Sequence, residues 1–192
     1  MSWVLANLPT IAGHLLAHLL QAVPAIIASF VLAIPIARLA RVARPLRAVL
    51  VTGSSLLYAV PSLALFVILP IILATGIRDP LNVIVALTLY GLALLVPATA
   101  DALDAVDARV LDAATAMGMG RLRCFLTVEL PLAGPAILTG LRVVTVSTIS
   151  LTTVGAVLGV RSLGWLFTDG FQRGITAEIV TGLVATAALA LV

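Results

Sequence analysis

The chain has no lysine, one cysteine and few aromatic or charged residues; aromatics make up 5% and charged residues 10% of its 192 positions. The lone Cys124 excludes an intramolecular disulfide and a cysteine-only metal site. So little charge excludes intrinsic disorder, which needs a polar chain too poor in apolar surface to collapse. It equally excludes an ordinary soluble domain, in which about a quarter of residues are charged. In place of charge stands apolar surface, 62% of the residues, with a mean hydropathy of +1.24. Folded in water, such a chain would expose large apolar patches, whereas a bilayer accepts them. The expectation is an all-α polytopic membrane protein. The net charge of +3 is carried by arginines lying between apolar blocks, which argues against a nucleic-acid partner.

Five apolar blocks of near-membrane length, roughly 20 residues each, predict about five transmembrane helices in one domain spanning residues 1–192. They run at about 15–37, 48–74, 81–100, 132–158 and from 176 onward. Met1–Leu8 lacks the basic start of a signal peptide, so the first block is expected to be retained. The last block is still running at Val192 and is expected to continue beyond it. Arginine placement predicts orientation, because cytoplasmic loops collect basic residues. Loops after blocks one and three carry seven arginines (38, 41, 44, 47, 109, 121 and 123), against three (78, 161 and 173) after blocks two and four. That bias puts the N-terminus outside and the 101–131 loop in the cytoplasm. Arg142, inside block four, is expected near the cytoplasmic end, with its head snorkelling toward water.

Pro61-Ser62 and the hydroxyl-rich run holding Thr145, Thr148 and Thr152 suggest helix faces turned to protein or to a water-filled path, since freed carbonyls need partners in lipid. Ordinary helix packing accounts for the same residues about as well.

The 101–131 segment carries most of the chemistry. Five of the eight acids lie there. Leu103, Val106, Val110, Ala113/Ala114 and Met117 recur at helical spacing, predicting one amphipathic helix over 101–117. Gly118 and Gly120 interrupt it, a short second helix over about 122–128 follows, and Pro131 suits the first turn of block four. About 30 residues exceed a simple helix–helix connection. The acids disfavour a helix lying on lipid, and the small residues Ala113, Ala114 and Gly118 admit close approach. The expectation is a docking element for a cytoplasmic partner.

His14 and His18 share a helical spacing but have no carboxylate or thiol nearby to complete a metal site, so they read as interfacial histidines. Tyr58, Phe66, Tyr90, Trp165 and Phe171 are scattered and read as packing or interface anchors. No nucleophile elbow, zinc-protease helix or phosphate-binding loop occurs, so no enzymatic activity is expected and any energy must come from another polypeptide.

The loop also carries a resemblance. Asp112-Ala113-Ala114, three residues, Gly118, nine residues, Val128, one residue and Leu130-Pro131 is similar to the EAA motif of ABC-importer permeases, with Asp for Glu and Val for Ile. Ala59-Val60-Pro61-Ser62-Leu63-Ala64-Leu65, Thr145-Val146-Ser147-Thr148-Ile149 and Gly159-Val160-Arg161-Ser162-Leu163-Gly164 resemble segments of the osmoprotectant (glycine betaine, carnitine, choline) permeases. The last has lost two glycines and gained an arginine relative to that family.

The resemblance implies a subunit of the bacterial inner membrane without a cofactor of its own, ATP and Mg being bound by a partner. Asp112, Ala113, Ala114, Met117, Gly118, Leu130 and Pro131 would couple to a pair of ATPase subunits. Pro61, Ser62, Thr145, Thr148 and Thr152 would line the path, and Gly159, Leu163 and Gly164 would shape an external loop facing a substrate-binding protein. A second permease chain, identical or related, would complete the path. Methionine-importer permeases share the same loop and are the alternative within the class; a passive channel or membrane scaffold is the alternative outside it.

Overall fold

A computed structural model describes residues 2–42 and 44–191, and all regular structure among them is helical. Val192, where the last block is expected to be still running, lies outside the described residues. The helices are α1 (Ser2–Ala6), α2 (Leu8–Val42), α3 (Arg44–Ala59), α4 (Ser62–Leu73), α5 (Pro80–Asp104), α6 (Ala108–Ala116), α7 (Arg121–Cys124), α8 (Leu130–Thr152), α9 (Trp165–Arg173) and α10 (Thr176–Leu191).

Three helical stretches, Leu8–Val42, Pro80–Asp104 and Arg121–Leu158, are long and apolar enough to cross a membrane. The second apolar block is a broken pair, α3 and α4, which can count as a fourth span. The break falls at Val60-Pro61. Proline forces the preceding residue away from the helical region, and the Tyr90 hydroxyl donates to the Val60 carbonyl at 2.7 Å, taking up an acceptor the break leaves free. The fifth block is present as α10, 16 residues long and shorter than a full span.

The chain forms two compact units, Met1–Ala28 with Val60–Gly91 and Thr145–Val192, and Ser29–Ala59 with Leu92–Val144. In the first unit Ala25, Phe66, Leu69, Val83, Ala86, Leu87 and Val160 make the core. The second holds two clusters, one around Ala37, Leu103, Phe125 and Ile137, the other of Ala33, Leu95, Val96 and Val144.

Helix α2 shows how packing works without a hydrophobic drive. In lipid, association rests on close van der Waals contact between small residues. Its buried positions Ala22, Ala25, Ser29, Ala33, Ala37 and Ala40 recur at three- and four-residue steps, while Leu16, Leu20, Val23, Ile27, Val31 and Leu39 face outward.

The polar 159–175 segment is more ordered than its glycines suggest. Gly159 holds a positive φ of 80°, and α9 follows five residues later. Its C-terminal turn closes where the Ile175 N–H donates to the Gly170 carbonyl at 2.8 Å. Helix α9 lies on α10 through glycine: a Cβ at Gly182 would meet the Leu166 Cβ at 2.9 Å, and one at Gly170 the Ile179 Cγ1 at 2.9 Å. At Gly164 an added Cβ would overlap the carbonyl oxygen of Thr153 outright.

Gly164→Ala should therefore destabilise the first unit by on the order of 2–3 kcal/mol, read as a lowered melting temperature of the detergent-solubilised protein. Gly134→Ala, where an added Cβ meets nothing within 4 Å, is the matched control and should leave it unchanged.

Candidate functional site

The expected docking element lies within the second unit, and its construction differs from the single helix expected over 101–117. Residues 101–104 are the last turn of α5, and a turn at 105–107 separates them from α6. Asp107 is the reason for the restart. Its carboxylate accepts the Arg109 N–H at 2.9 Å, the hydrogen bond of an N-cap. The Arg109 guanidinium also reaches that carboxylate at 2.9 Å, and together these hold Asp107 below the ordinary carboxylate range. The cap is in place at neutral pH and is lost as pH falls through that lowered value.

Helix α6 ends in a Schellman motif. Gly118 N–H donates to the Thr115 carbonyl at 2.9 Å and Met119 N–H to the Ala114 carbonyl at 3.2 Å. Gly118 sits at φ +83° with nothing within 4 Å of where a Cβ would stand, so conformation and not space demands glycine.

After Gly120 the chain is helical again from Arg121 and never leaves the helix before block four. The expected second helix is continuous with α8 through one π turn, Phe125–Glu129. Pro131 explains the widening. It cannot donate to the Thr127 carbonyl and its ring presses on that group, so the Leu130 N–H instead reaches back five residues to the Phe125 carbonyl.

An ion cluster ties the element to the long helices. Arg41, in the last turn of α2, pairs with Glu129 at the end of the π turn and, at 3.3 Å, with Asp104 at the end of α5. Arg47 of α3 pairs with Asp104 as well. The Arg38 guanidinium lies 4.2 Å above the Phe125 ring, a cation–π contact. The Arg41–Glu129 pair is partly buried, with Glu129 at 15% and Arg41 at 27% exposure, so it is screened less than a surface pair; the Arg47–Asp104 pair is exposed. Nothing in the sequence pairs positions 41 and 129; this part of the site was not legible from spacing. Between α6 and these groups is a cavity of about 480 Å³ lined by Arg38, Leu111, Arg121 and Phe125, among others.

Of the small residues expected to admit a partner, Ala113 and Gly118 are exposed, whereas Ala114 is buried against its own chain. Asp112, Pro131 and Met117 are exposed, Leu130 is half-buried, and Val110, Leu122 and Leu126 add apolar surface to the element. The residues expected to line a path lie in the first unit: Thr148 and Thr152 are buried, with the Thr152 hydroxyl donating to the Thr148 carbonyl at 2.7 Å, Thr145 and Ser62 are half-buried, and Pro61 is exposed. Leu163 and Gly164 are buried beside Ser162, whose hydroxyl accepts the Gly164 N–H at 3.2 Å. Gly159 lies against Arg78. His14 stacks on Trp165 with ring centroids 6.2 Å apart. No cluster of three metal-ligating side chains occurs among the described residues.

Residues 25–192 match the family described as the inner membrane component of binding-protein-dependent transport systems. The chain belongs to that family: it is the membrane component of an ABC transporter, and ATP hydrolysis is the work of a separate subunit. It is similar to the glycine betaine/carnitine/choline transport system permease protein OpuCD of Bacillus subtilis (strain 168), 28% identical over 176 residues, covering 91% of this chain and 76% of OpuCD. It is 31% identical over 143 residues to the osmoprotectant import permease protein OsmW of Salmonella typhimurium, covering 73% of this chain and 66% of that one. The ergothioneine transport permease/ergothioneine binding protein EgtU of Helicobacter pylori (strain G27) is 35% identical over 139 residues, 72% of this chain. That match spans only 24% of EgtU. The fold is that of a chain in the inward-facing MetNI methionine ABC transporter, with a TM-score of 0.82 at 20% identity, covering 94% of this chain and 89% of that one.

A double-mutant cycle of Arg41→Gln and Glu129→Gln should return a coupling of about 1–3 kcal/mol in thermal unfolding. Additive single effects would mean that the pair contributes nothing.

Proposed function

We propose that this chain is the permease subunit of an ATP-driven importer of quaternary-ammonium osmoprotectants such as glycine betaine, choline, carnitine and proline betaine. The fold is expected to act as one permease domain with five membrane-crossing segments, N-terminus outside and the 101–131 element in the cytoplasm. Five helices are too few to surround a solute, so two permease chains, identical or related, share the path. A pair of ATPase subunits, holding ATP and Mg, docks on Asp112, Ala113, Met117, Gly118 and Pro131, with half-buried Leu130 and buried Ala114 supporting that surface. An extracytoplasmic binding protein delivers the solute on the side of Gly159, Leu163 and Gly164, and Pro61, Ser62, Thr145, Thr148 and Thr152 belong to the helices along which it passes.

One observation carries the reading. The α6–π-turn element exposes Val110, Ala113, Met117, Leu122 and Leu126, yet Arg41, Asp104 and Glu129 bind it to the ends of α2 and α5. A partner gripping that surface would move the long helices with it. ATPase closure draws the two elements of a dimer together and opens the path outward; hydrolysis and release reverse it. The solute class is supported by the names of the relatives, OpuCD and OsmW among them. A passive channel or scaffold would have no use for such an element. The likeness to MetNI is one of fold and does not favour methionine.

The test is binding-protein-dependent uptake of labelled glycine betaine, choline, carnitine and methionine into vesicles holding the full complex. Uptake of one or more quaternary-ammonium solutes is expected; transport of methionine alone would overturn the solute class. In the same vesicles Gly118→Pro, which cannot adopt φ +83°, and Ala113→Arg should abolish uptake and uncouple the ATPase while membrane insertion is retained. Normal uptake by both would remove the docking surface.

A further inference from the structure

Arg142 is the one charged residue within α8, and it is exposed, with no hydrogen bond or ion pair among the described residues. Its level in the second unit is fixed by its neighbours. A Cβ at Gly140 would stand 3.2 Å from the Ala98 Cβ and 3.3 Å from the Leu95 Cδ1. Leu141 and Val144 belong to the cluster of Ala33, Leu95 and Val96. Arg142 therefore leaves the helix at an apolar layer, about 18 Å along α8 from Leu130 at 1.5 Å per residue. The unit has no acid at this layer: α2 and α3 contain none, and α5 has none from Leu92 to Ala100.

A guanidinium facing acyl chains at the helix centre is costly, so ionisable groups at such depth face water-filled paths or paired charges. Helix α8 exposes Thr139 and Arg142 one turn apart, beside exposed Leu138 and Val143. Helix α3, whose Val51 packs on the cluster that holds Ala133 and Ile137, exposes Thr52 and Ser55 as well as Val49 and Leu56.

We propose that Arg142 is a carboxylate-recognition point on the path-facing side of the second unit, set to receive a zwitterionic solute by its anionic end. The proposal deepens the importer reading and rests on it. A bare quaternary cation such as choline gains nothing from a guanidinium, whereas glycine betaine and carnitine each carry a carboxylate that Arg can hold by two parallel hydrogen bonds. The absence of a competing acid at that layer leaves the guanidinium for the cargo.

Two measurements on the complete complex in vesicles test this. First, Arg142→Gln should cut uptake of glycine betaine about tenfold or more, the loss expected for one charged hydrogen-bonding group, while choline uptake stays within about twofold and Arg142→Lys, which keeps the charge but not the two-bond fork, falls between wild type and Arg142→Gln. Equal loss for both solutes, or no loss for either, would overturn the proposal; the latter is the result for an arginine that snorkels to lipid headgroups. Second, Arg142→Cys should be labelled by a membrane-impermeant thiol reagent above the background of buried Cys124, and saturating glycine betaine should slow that labelling. Failure to label would place the side chain in lipid, whatever the cargo. A wild-type complex that transports neither solute, with labelling intact, would instead overturn the importer reading and leave the aqueous placement of Arg142 standing.

Discussion

Arg41 holds the working end of the second unit together by pairing with two carboxylates from different helices, Asp104 and Glu129. Asp104 is the last residue of α5, where the helix dipole disfavours an acid by roughly 0.3–1 kcal/mol. It is tolerated because Arg41 and Arg47 both reach it. Glu129 closes the π turn that leads into α8, and Arg38 covers the Phe125 ring at the start of that turn. Ends of α2, α3, α5 and the turn leading into α8 are thus tied by charge, with the Arg41–Glu129 pair the most buried of the set. These pairs add directional bonds where the rest of the unit has close packing of small residues.

That contrast runs through the molecule. Elsewhere cohesion comes from closeness: the Ala/Ser stripe of α2, Gly140 against Ala98, and Gly170 and Gly182 between α9 and α10. In a bilayer the gain is dispersion, which a fraction of an ångström of separation largely removes. Directional bonds are kept for breaks and turns, such as Tyr90 on the Val60 carbonyl, Asp107 at the start of α6 and Gly118 at its end. Each lies where the backbone leaves a helix and its polar groups lose their helical partners.

Much of this was legible beforehand because two strong signals are local. Long uncharged runs bounded by arginine mark the apolar helices, and the spacing from Asp112 to Pro131 marks the segment that resembles the EAA motif of ABC-importer permeases. Local signals also misled. The helical periodicity over 101–117 was real, yet it continued across a break, because Leu103 and Val106 keep step with α6 while Asp107 caps a new helix. Glycines at 159–174 suggested a loop, but α9 occupies much of that segment, its glycines serving close approach and helix termination.

The sequence by itself determined that the chain is an apolar all-helical membrane component and which segment carries the permease-like spacing, since hydropathy and motif spacing are properties of neighbouring residues. Tertiary structure alone decided that Arg41 meets Glu129, that Ala113 is open while Ala114 is closed, and that Arg142 emerges beside an apolar layer free of acids. Those facts depend on how helices 50 to 100 residues apart come into register. Register is set by the sum of many weak close contacts, and no short stretch of sequence contains that sum.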